Sequence, residues 1–465
     1  MPRRHQSEPL LDGIEGIDGI EGSIGANGPN GTNGAEASQP VADLIEESPP
    51  LPRKPGIPLP APGVATMAAA RLRMAAVRPA AYARTRNSLH GAVSGLSPYL
   101  THGFITLADV LADVSARHPL DVQHKFVYEL GWRAFFRHVW QHRGDAILQS
   151  LHEGPLPDDA YVRTLPDDIR QGRTGVPVID RAVRELYATG TLHNHARMWL
   201  ASYVVHLRKV HWRTGADWLY AHLLDGDLAS NHLSWQWVAG TGSTKPYLFN
   251  AENVARYAPA DWHSPGSVID TSYDALERMA RSRSVNAAST SMGLVEVDAA
   301  GVVEPDQFNH PHPPLMVGAV APEASQVDGR DVWLVHPWSL GDVPQGLSPE
   351  TVVVGLYLSD FHQAWPWSER RWQFVDSRMA ALTPVRWWTD ATALGEALRG
   401  ARSVRGRLDL HLARWLMPLA EWLPTPMLFP PVEPPCDTFS QWWRRAVRGV
   451  GTAAELLAIN EVPSW

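Results

Sequence analysis

The sequence predicts a mostly α-helical protein: a helical domain spans residues 66–260 and a smaller α/β unit follows at 331–430, both behind a disordered N-terminal tail. Three observations carry this. Apolar residues recur at helical spacing from Met67 to Tyr257, broken by Gly/Pro turns; short β-branched runs alternate with helical stretches after Asp331; and residues 11–34, LDGIEGIDGIEGSIGANGPNGTNG, are of low complexity. A chain of 465 residues has room for about two to four domains.

The tail, residues 1–65, joins this Gly-rich tract to a Pro-rich stretch ending near Gly63, and neither buries enough side chain to offset the entropy of ordering its backbone. The helical domain is read from ATMAAARLRMAAVRPAAYART, FITLADVLADVSAR, HKFVYELGWRAFFRHVWQHR, PVIDRAVRELYATG and HNHARMWLASYVVHLRKV. Residues 261–330, with SRSVNAASTSMG and NHPHPPL, read as a linker. Beyond it DVWLVHPW, TVVVGLYLSD and VRWWT are strand candidates, while PWSERRWQFVDSRMAALT and ATALGEALRGA are helix candidates. That alternation favours a small, mostly parallel, Rossmann-like sheet. Residues 431–465, through TFSQWWRRAVRGVGTAAELLA, form a basic, amphipathic helical tail.

Composition excludes several classes. Cys436 is the single cysteine, which rules out an internal disulfide framework and Cys-paired zinc or iron–sulfur sites and points to a reducing, cytoplasmic setting. No apolar run approaches the roughly 18 residues of a membrane span, and MPRRHQSEPL leads into no secretory apolar core. The net charge of −8 is unevenly spread: residues 1–65, 66–260, 261–330 and 331–465 carry −5, +5, −6 and −2. Only the helical domain is basic. Twenty Trp against 10 Phe and 11 Tyr suggest flat-ligand stacking, electron transfer or dense packing.

Two stretches set polar and aromatic groups on one helix face. In YELGWRAFFRH, Glu129, Trp132, Arg133 and Phe136 fall at i, i+3, i+4 and i+7. They form either an Arg/Glu pair beside a half-buried Trp or a pocket wall that stacks a planar group and anchors its polar edge. In LLDGDLASNHLSWQWVAGTG, Asp227 is placed to cap a helix on which Asn231 and Trp235 follow at i+4 and i+8. Simple capping plus a core Trp is the plainer alternative. The stretch lacks the glycine and bidentate glutamate of a calcium loop. GTGSTKP lacks the ending of a phosphate loop, no HExxH or shared histidine face suggests a metal, and no GxSxG elbow supports a hydrolytic triad.

The blocks SGLSPYLTHG, YELGWRAFFRH, GRTGVPVIDRAVRELYATGTLHNHARM and LLDGDLASNHLSWQWVAGTG, in this order and spacing, resemble the FAD-binding domain of the photolyase/cryptochrome family over about two-fifths of the chain. The resemblance implies an all-helical, photolyase-type domain holding a folded-over FAD. It sets Ser94, Leu96 and Ser97 in the phosphate-binding turn, Tyr82 near the flavin, and Asp225, Gly226 and Asp227 along the ribityl and isoalloxazine. Arg197 resembles the partner of the first Asp, Arg133 stands beside the pocket, and Asn231 matches the residue facing flavin N5. Glu129, Trp132 and Asn194 match groups that touch a flipped-out cyclobutane pyrimidine dimer, and Arg86, Arg133, Asn194 and His195 fall at DNA-contacting positions. Trp235 and Trp212 match the first two members of an electron-transfer chain; Asp159 stands in the third place, with Tyr161 or Trp218 as substitutes.

The resemblance therefore implies repair of cyclobutane pyrimidine dimers in DNA, driven by blue light and an electron from FADH−. Asn194 favours these dimers over six-four photoproducts, and Asn231 favours repair over signalling. Departures point elsewhere: Ala134 replaces a Glu, Val93 a Thr and Phe126 a Trp, and the family's usual continuation after Tyr257 is missing. The α/β candidate follows the helical domain instead of preceding it, and looks like a displaced, shortened antenna domain; the antenna chromophore is left open. Two alternatives stand beside repair: a cryptochrome-like flavin photoreceptor, favoured by the domain order and acidic tails, and a flavoprotein scaffold without photochemistry. No metal or membrane partner is expected, and protein partners are left open.

Overall fold

The computed structural model describes residues 61, 63–283, 301–309, 314 and 317–459; the expected disorder of residues 1–60 falls outside them. Helices come first in the chain: α1 (Met67–Ala75), α2 (Pro79–Thr85), α3 (Ser97–Thr101), α4 (Leu107–Arg117), α5 (Lys125–Arg143), α6 (Asp167–Arg170), α7 (Pro177–Thr189), α8 (Asn194–Ser202), α9 (Trp212–His222), α10 (Leu228–Ala239), α11 (Ala251–Tyr257) and α12 (Tyr273–Ala280). Local signals set their ends. Thr106 and Asp109 form a reciprocal capping box on α4, Pro177 opens α7 and Gly190 closes it at φ 68°. α8 runs into a π turn at Tyr203–Leu207. Lys209 follows at φ 53°, and its ammonium donates to the carbonyls of Met279 and Ala280 (2.7 and 2.9 Å) at the end of α12.

That lysine contact bears on the domain boundary. Trp262, Ile269 and Leu276 are buried in the same apolar core as Trp199 and Tyr203, so residues 261–283 belong to the helical domain and not to a linker. Residues 301–309 are also engaged: Glu304 accepts from Arg170 (2.5 Å) and meets His222 (2.9 Å).

The strands are β1 (Gln307–Phe308), β2 (Asp331–Val335), β3 (Val352–Leu358), β4 (Trp367–Ser368), β5 (Arg386–Thr389), β6 (Ser403–Arg407) and β7 (Glu421–Leu423). β1 and β4 form a short antiparallel pair. The other five make an all-parallel sheet in the order β5-β3-β2-β6-β7, flanked by α13 (Ser359–Ala364), α14 (Glu369–Leu382), α15 (Ala391–Leu398) and α16 (Ala413–Leu416). This is a doubly wound order. The expected strands are β2, β3 and β5; β6 and β7 carry no such signal because SVRGR and EWL are short and mostly half-exposed, with no buried apolar run. The C-terminal helices α17 (Phe439–Ala446) and α18 (Ala453–Ile459) pack on α5 and α4. They complete the helical domain instead of forming a separate tail.

Two apolar cores result. One runs from α1, α4 and α5 through the parallel sheet to α17; the other holds α7–α9, α11 and α12, and α10 contributes to both. Among the described residues no helix is long and apolar enough to cross a membrane.

Candidate functional site

The seam between the cores holds an inner cavity of about 280 Å³. Leu96, Val110, Phe126 and Leu130 line it from one core, and Met198, Ala201, Leu219 and Trp235 from the other. It adjoins an outer cavity of about 590 Å³, and Tyr82, Ser94, Ser97, Glu129, Asn194, Arg197 and Asp225 border both. Their combined size suits a large organic ligand.

Carboxylates and cations face each other across the inner cavity. Arg197 reaches both oxygens of Asp225 through Nη2 (2.9 Å each) and donates to the Leu192 carbonyl from Nε (2.8 Å). Asp227 caps α10 as expected, with Oδ1 accepting from the Ser230 amide (2.8 Å). Its Oδ2 and the Ser230 hydroxyl are buried without a hydrogen-bond partner among the described residues. Burial alone would raise the Asp227 carboxyl, but Arg133, His411 and Arg137 hold it at about 2. It is therefore a buried anion with an unused acceptor. Asn231 is anchored by Nδ2 on the Ala216 carbonyl (2.9 Å), and Trp235 packs over Gly215, where an added Cβ would lie 2.4 Å from the indole.

The outer cavity has Glu129, Trp132, Asn194, His195 and Arg86 on its walls. Arg86 Nε lies 3.5 Å from Glu129 Oε1, yet burial leaves the Glu129 carboxyl above its usual value. Trp132 stacks on Phe439 of α17 at 4.0 Å and 14°, so one of its faces is already covered. Asn194 is exposed at the start of α8, with its amide against Met198 Sδ (3.5 Å).

Four of the expected site residues sit in settings the sequence did not indicate. Gly226 borders neither cavity; its carbonyl accepts from Arg371 (2.6 Å), and a Cβ there would lie 2.5 Å from Arg371 Nη1. Its lack of a side chain serves packing rather than ligand contact. Arg133 turns inward, donating to Thr101 (2.9 Å) and bordering only the inner cavity. His195 is buried, and burial lowers its pKa to about 4, so it presents a neutral ring instead of a cation for phosphate. Trp212 borders neither cavity; it is buried, donates to Ser150 (3.0 Å) and has its ring 6.3 Å from that of His232 on α10. In the third place of the aromatic chain, Asp159 is paired with Arg283 (3.0 Å), while Tyr161 lies edge-on to His211, which in turn adjoins Trp212.

Some site residues had no sequence signal. Arg137 bridges Asp227 (3.9 Å) and Asp409 (2.8 Å), and Asp409 accepts from His411 Nδ1 (2.6 Å), which joins helix α5 to the loop after β6. Only the i+4 spacing of Arg133 and Arg137 could have suggested the first. Asp409, His411, Arg371 and Phe439 come from the far end of the chain.

Residues 126–281 match the family described as the FAD binding domain of DNA photolyase. A deoxyribodipyrimidine photo-lyase of Thermus thermophilus is 37% identical over 228 residues, which is 46% of this chain and 52% of that protein. A cryptochrome DASH of Synechocystis is 34% identical over 172 residues, 35% of each. The solved structure of a bacterial class III photolyase from Agrobacterium tumefaciens aligns with TM-score 0.38 and 26% identity, over 46% of this chain and 50% of that one. The chain thus spans about half or less of the length of these relatives.

Proposed function

We propose, from the match of residues 126–281 to the FAD binding domain of DNA photolyase, that the chain binds FAD in the inner cavity and the adjoining part of the outer one, and uses it, under blue light, to split cyclobutane pyrimidine dimers presented at the outer one. The flavin end suits the inner cavity: Asp227 Oδ2 and the Ser230 hydroxyl, each without a hydrogen-bond partner among the described residues, can meet an imide N–H and a sugar-like hydroxyl, and apolar walls from both cores enclose a flat ring system. Bound there, FAD would supply light-driven, one-electron chemistry.

The protein's own groups then have separate tasks. Arg197 neutralises Asp225 and keeps that wall rigid. Ser94, Leu96 and Ser97 offer a turn at the start of α3 for the phosphates, and Tyr82, edge-on to Phe126 at 5.4 Å, closes the flavin side. Trp235 and Trp212, on adjoining helices α10 and α9, would carry electrons inward. Burial raises the Glu129 carboxyl above its ordinary value, and when protonated it can donate to a pyrimidine carbonyl. Trp132's uncovered side and Asn194 hold the flipped-out dimer, whose damaged stacking lowers the cost of leaving the duplex. The +5 balance of residues 66–260 suits phosphate contact by the DNA partner.

The single observation that carries this reading is the sharing of Glu129, Asn194 and Asp225 between the two cavities, which brings lesion-facing and cofactor-facing groups to one wall. The test is loss of dimers from ultraviolet-irradiated single-stranded DNA under blue light, using the FAD-loaded, photoreduced protein. Glu129→Ala and Trp132→Ala should each slow it at least about tenfold, within the range of a positioned acid or stacking group. The covered face of Trp132 favours the second reading, a cryptochrome-like photoreceptor without repair. Bound, photoreducible flavin with no light-dependent loss of dimers would establish that reading instead.

A further inference from the structure

The α/β unit reaches into the wall of the inner cavity through one side chain. Arg371 of α14 is fully buried, with Nη1 donating to the Tyr220 carbonyl (2.7 Å) and Nη2 to the Gly226 carbonyl (2.6 Å), both in the helical domain. Its guanidinium also lies over the rings of Trp367 and Tyr220, 4.0 and 4.5 Å from their centroids. A buried cation is costly unless its donors are met and its charge is balanced. Here both Nη atoms are bonded while Nε has no hydrogen-bond partner among the described residues, and the charge is balanced by Asp225 and Asp227, the two carboxylates that flank Gly226 and face the inner cavity. Gly226 carries no Cβ, and the guanidinium occupies the space a side chain would need.

A second bridge reaches the same turn from the same unit. Asp409, in the loop after β6, accepts from Arg137 (2.8 Å), and Arg137 lies 3.9 Å from Asp227. His411, hydrogen-bonded to Asp409, stacks on Trp338 after β2 at 4.3 Å and 14°. The turn that carries both cavity carboxylates is therefore held through its carbonyl on one side and through a charged relay on the other.

We propose that Arg371 is a positioning residue for the Asp225–Asp227 turn, so that the cofactor site is complete only with the α/β unit docked. The inference rests on reading the inner cavity as the FAD site. Arg371 borders neither cavity and acts through the Gly226 carbonyl.

The test uses the full chain in three variants: Arg371→Met, Arg371→Lys and Val354→Ala, the last a buried β3 position in the sheet core. FAD affinity is read by fluorescence titration of the apoprotein, the setting of the bound flavin by its visible circular dichroism, and stability by thermal unfolding. Arg371→Met should weaken FAD binding roughly ten- to a hundredfold, as for loss of charged hydrogen bonds, and change the dichroism. Arg371→Lys, able to reach one carbonyl, should recover part of both. Val354→Ala should lower the unfolding midpoint and leave both flavin readings alone. Arg371→Met binding within twofold of wild type with unchanged dichroism overturns the inference, as does Val354→Ala weakening FAD equally. If the methionine variant does not fold, the lysine variant decides: wild-type affinity and dichroism overturn the inference, and a partial loss supports it. Wild-type protein that takes up no FAD would overturn the cofactor reading itself, and this inference with it.

Discussion

Replacing Gly226 with alanine adds one methyl group at a position where the structure leaves no room. The new Cβ would stand 2.5 Å from Arg371 Nη1 and 2.8 Å from the Tyr220 carbonyl oxygen. Those two atoms are themselves hydrogen-bonded at 2.7 Å, so the methyl would wedge apart a buried, charge-assisted bond. Contact between such atoms needs about 3.5–4.0 Å, a shortfall of about 1 Å on each side. Neither neighbour yields easily: one is backbone, and the other is a fully buried guanidinium between two rings. Overpacking costs about 1–3 kcal/mol, and loss of a hydrogen bond to a charged group about 1.5–3 kcal/mol, together about 3–6 kcal/mol. At about 2–4 °C per kcal/mol for a domain of this size, the midpoint should fall by roughly 10 °C. The assay is thermal unfolding followed by far-ultraviolet circular dichroism, with flavin release recorded in parallel. Gly346→Ala, where nothing lies within 4 Å of an added Cβ, is the control and should match wild type. A Gly226→Ala protein that unfolds within about 2 °C of wild type would refute the steric reasoning, since overpacking alone should exceed that shift.

Asp225→Ala combined with Asp227→Ala should release FAD, with affinity falling at least about a hundredfold, because one change strands Arg197 and the other removes the unused buried acceptor; retention of the flavin spectrum through gel filtration would contradict this. Stability should also fall as pH drops from about 6.5 towards 4. Burial lowers His195 and His206 to about 4, below the roughly 6.5 of an unfolded chain. The unfolded form therefore takes up the protons first, and the loss levels off once pH passes below the folded values. A urea midpoint that stays constant between pH 7 and 4.5 would count against those two rings being buried and neutral.

Much of the fold could be read from the chain because its signals are local. Helical spacing marks α4, α5, α7 and α10, the capping pair Thr106 and Asp109 marks a start, and the β-branched runs of β2 and β3 mark a sheet. β6 and the helix at Tyr273–Ala280 were not legible in this way: the first is held by backbone pairing with β2 and β7, and the second lies in a stretch of mixed composition but closes an apolar core. The candidate site divides along the same line. Glu129, Trp132 and Arg133 share a helix face, and Asp227, Asn231 and Trp235 another, so their grouping follows from the 3.6-residue period.

Most of the tryptophan excess resolves in the tertiary structure into packing. Trp338, Trp367, Trp372 and Trp388 surround His362 in the α/β core with ring centroids 4.4–6.5 Å away. By itself, then, the sequence determined the helices, the parallel sheet, the family resemblance and the groups that share a helix face, because each depends on residues a few positions apart. Only the tertiary structure decided that Gly226 makes room for a guanidinium, that Arg133 faces inward, and that Arg371, Asp409 and Phe439 stand at or behind the site. Those contacts join residues from 32 to about 300 positions apart, and only packing, burial and charge balance in the folded chain bring them together.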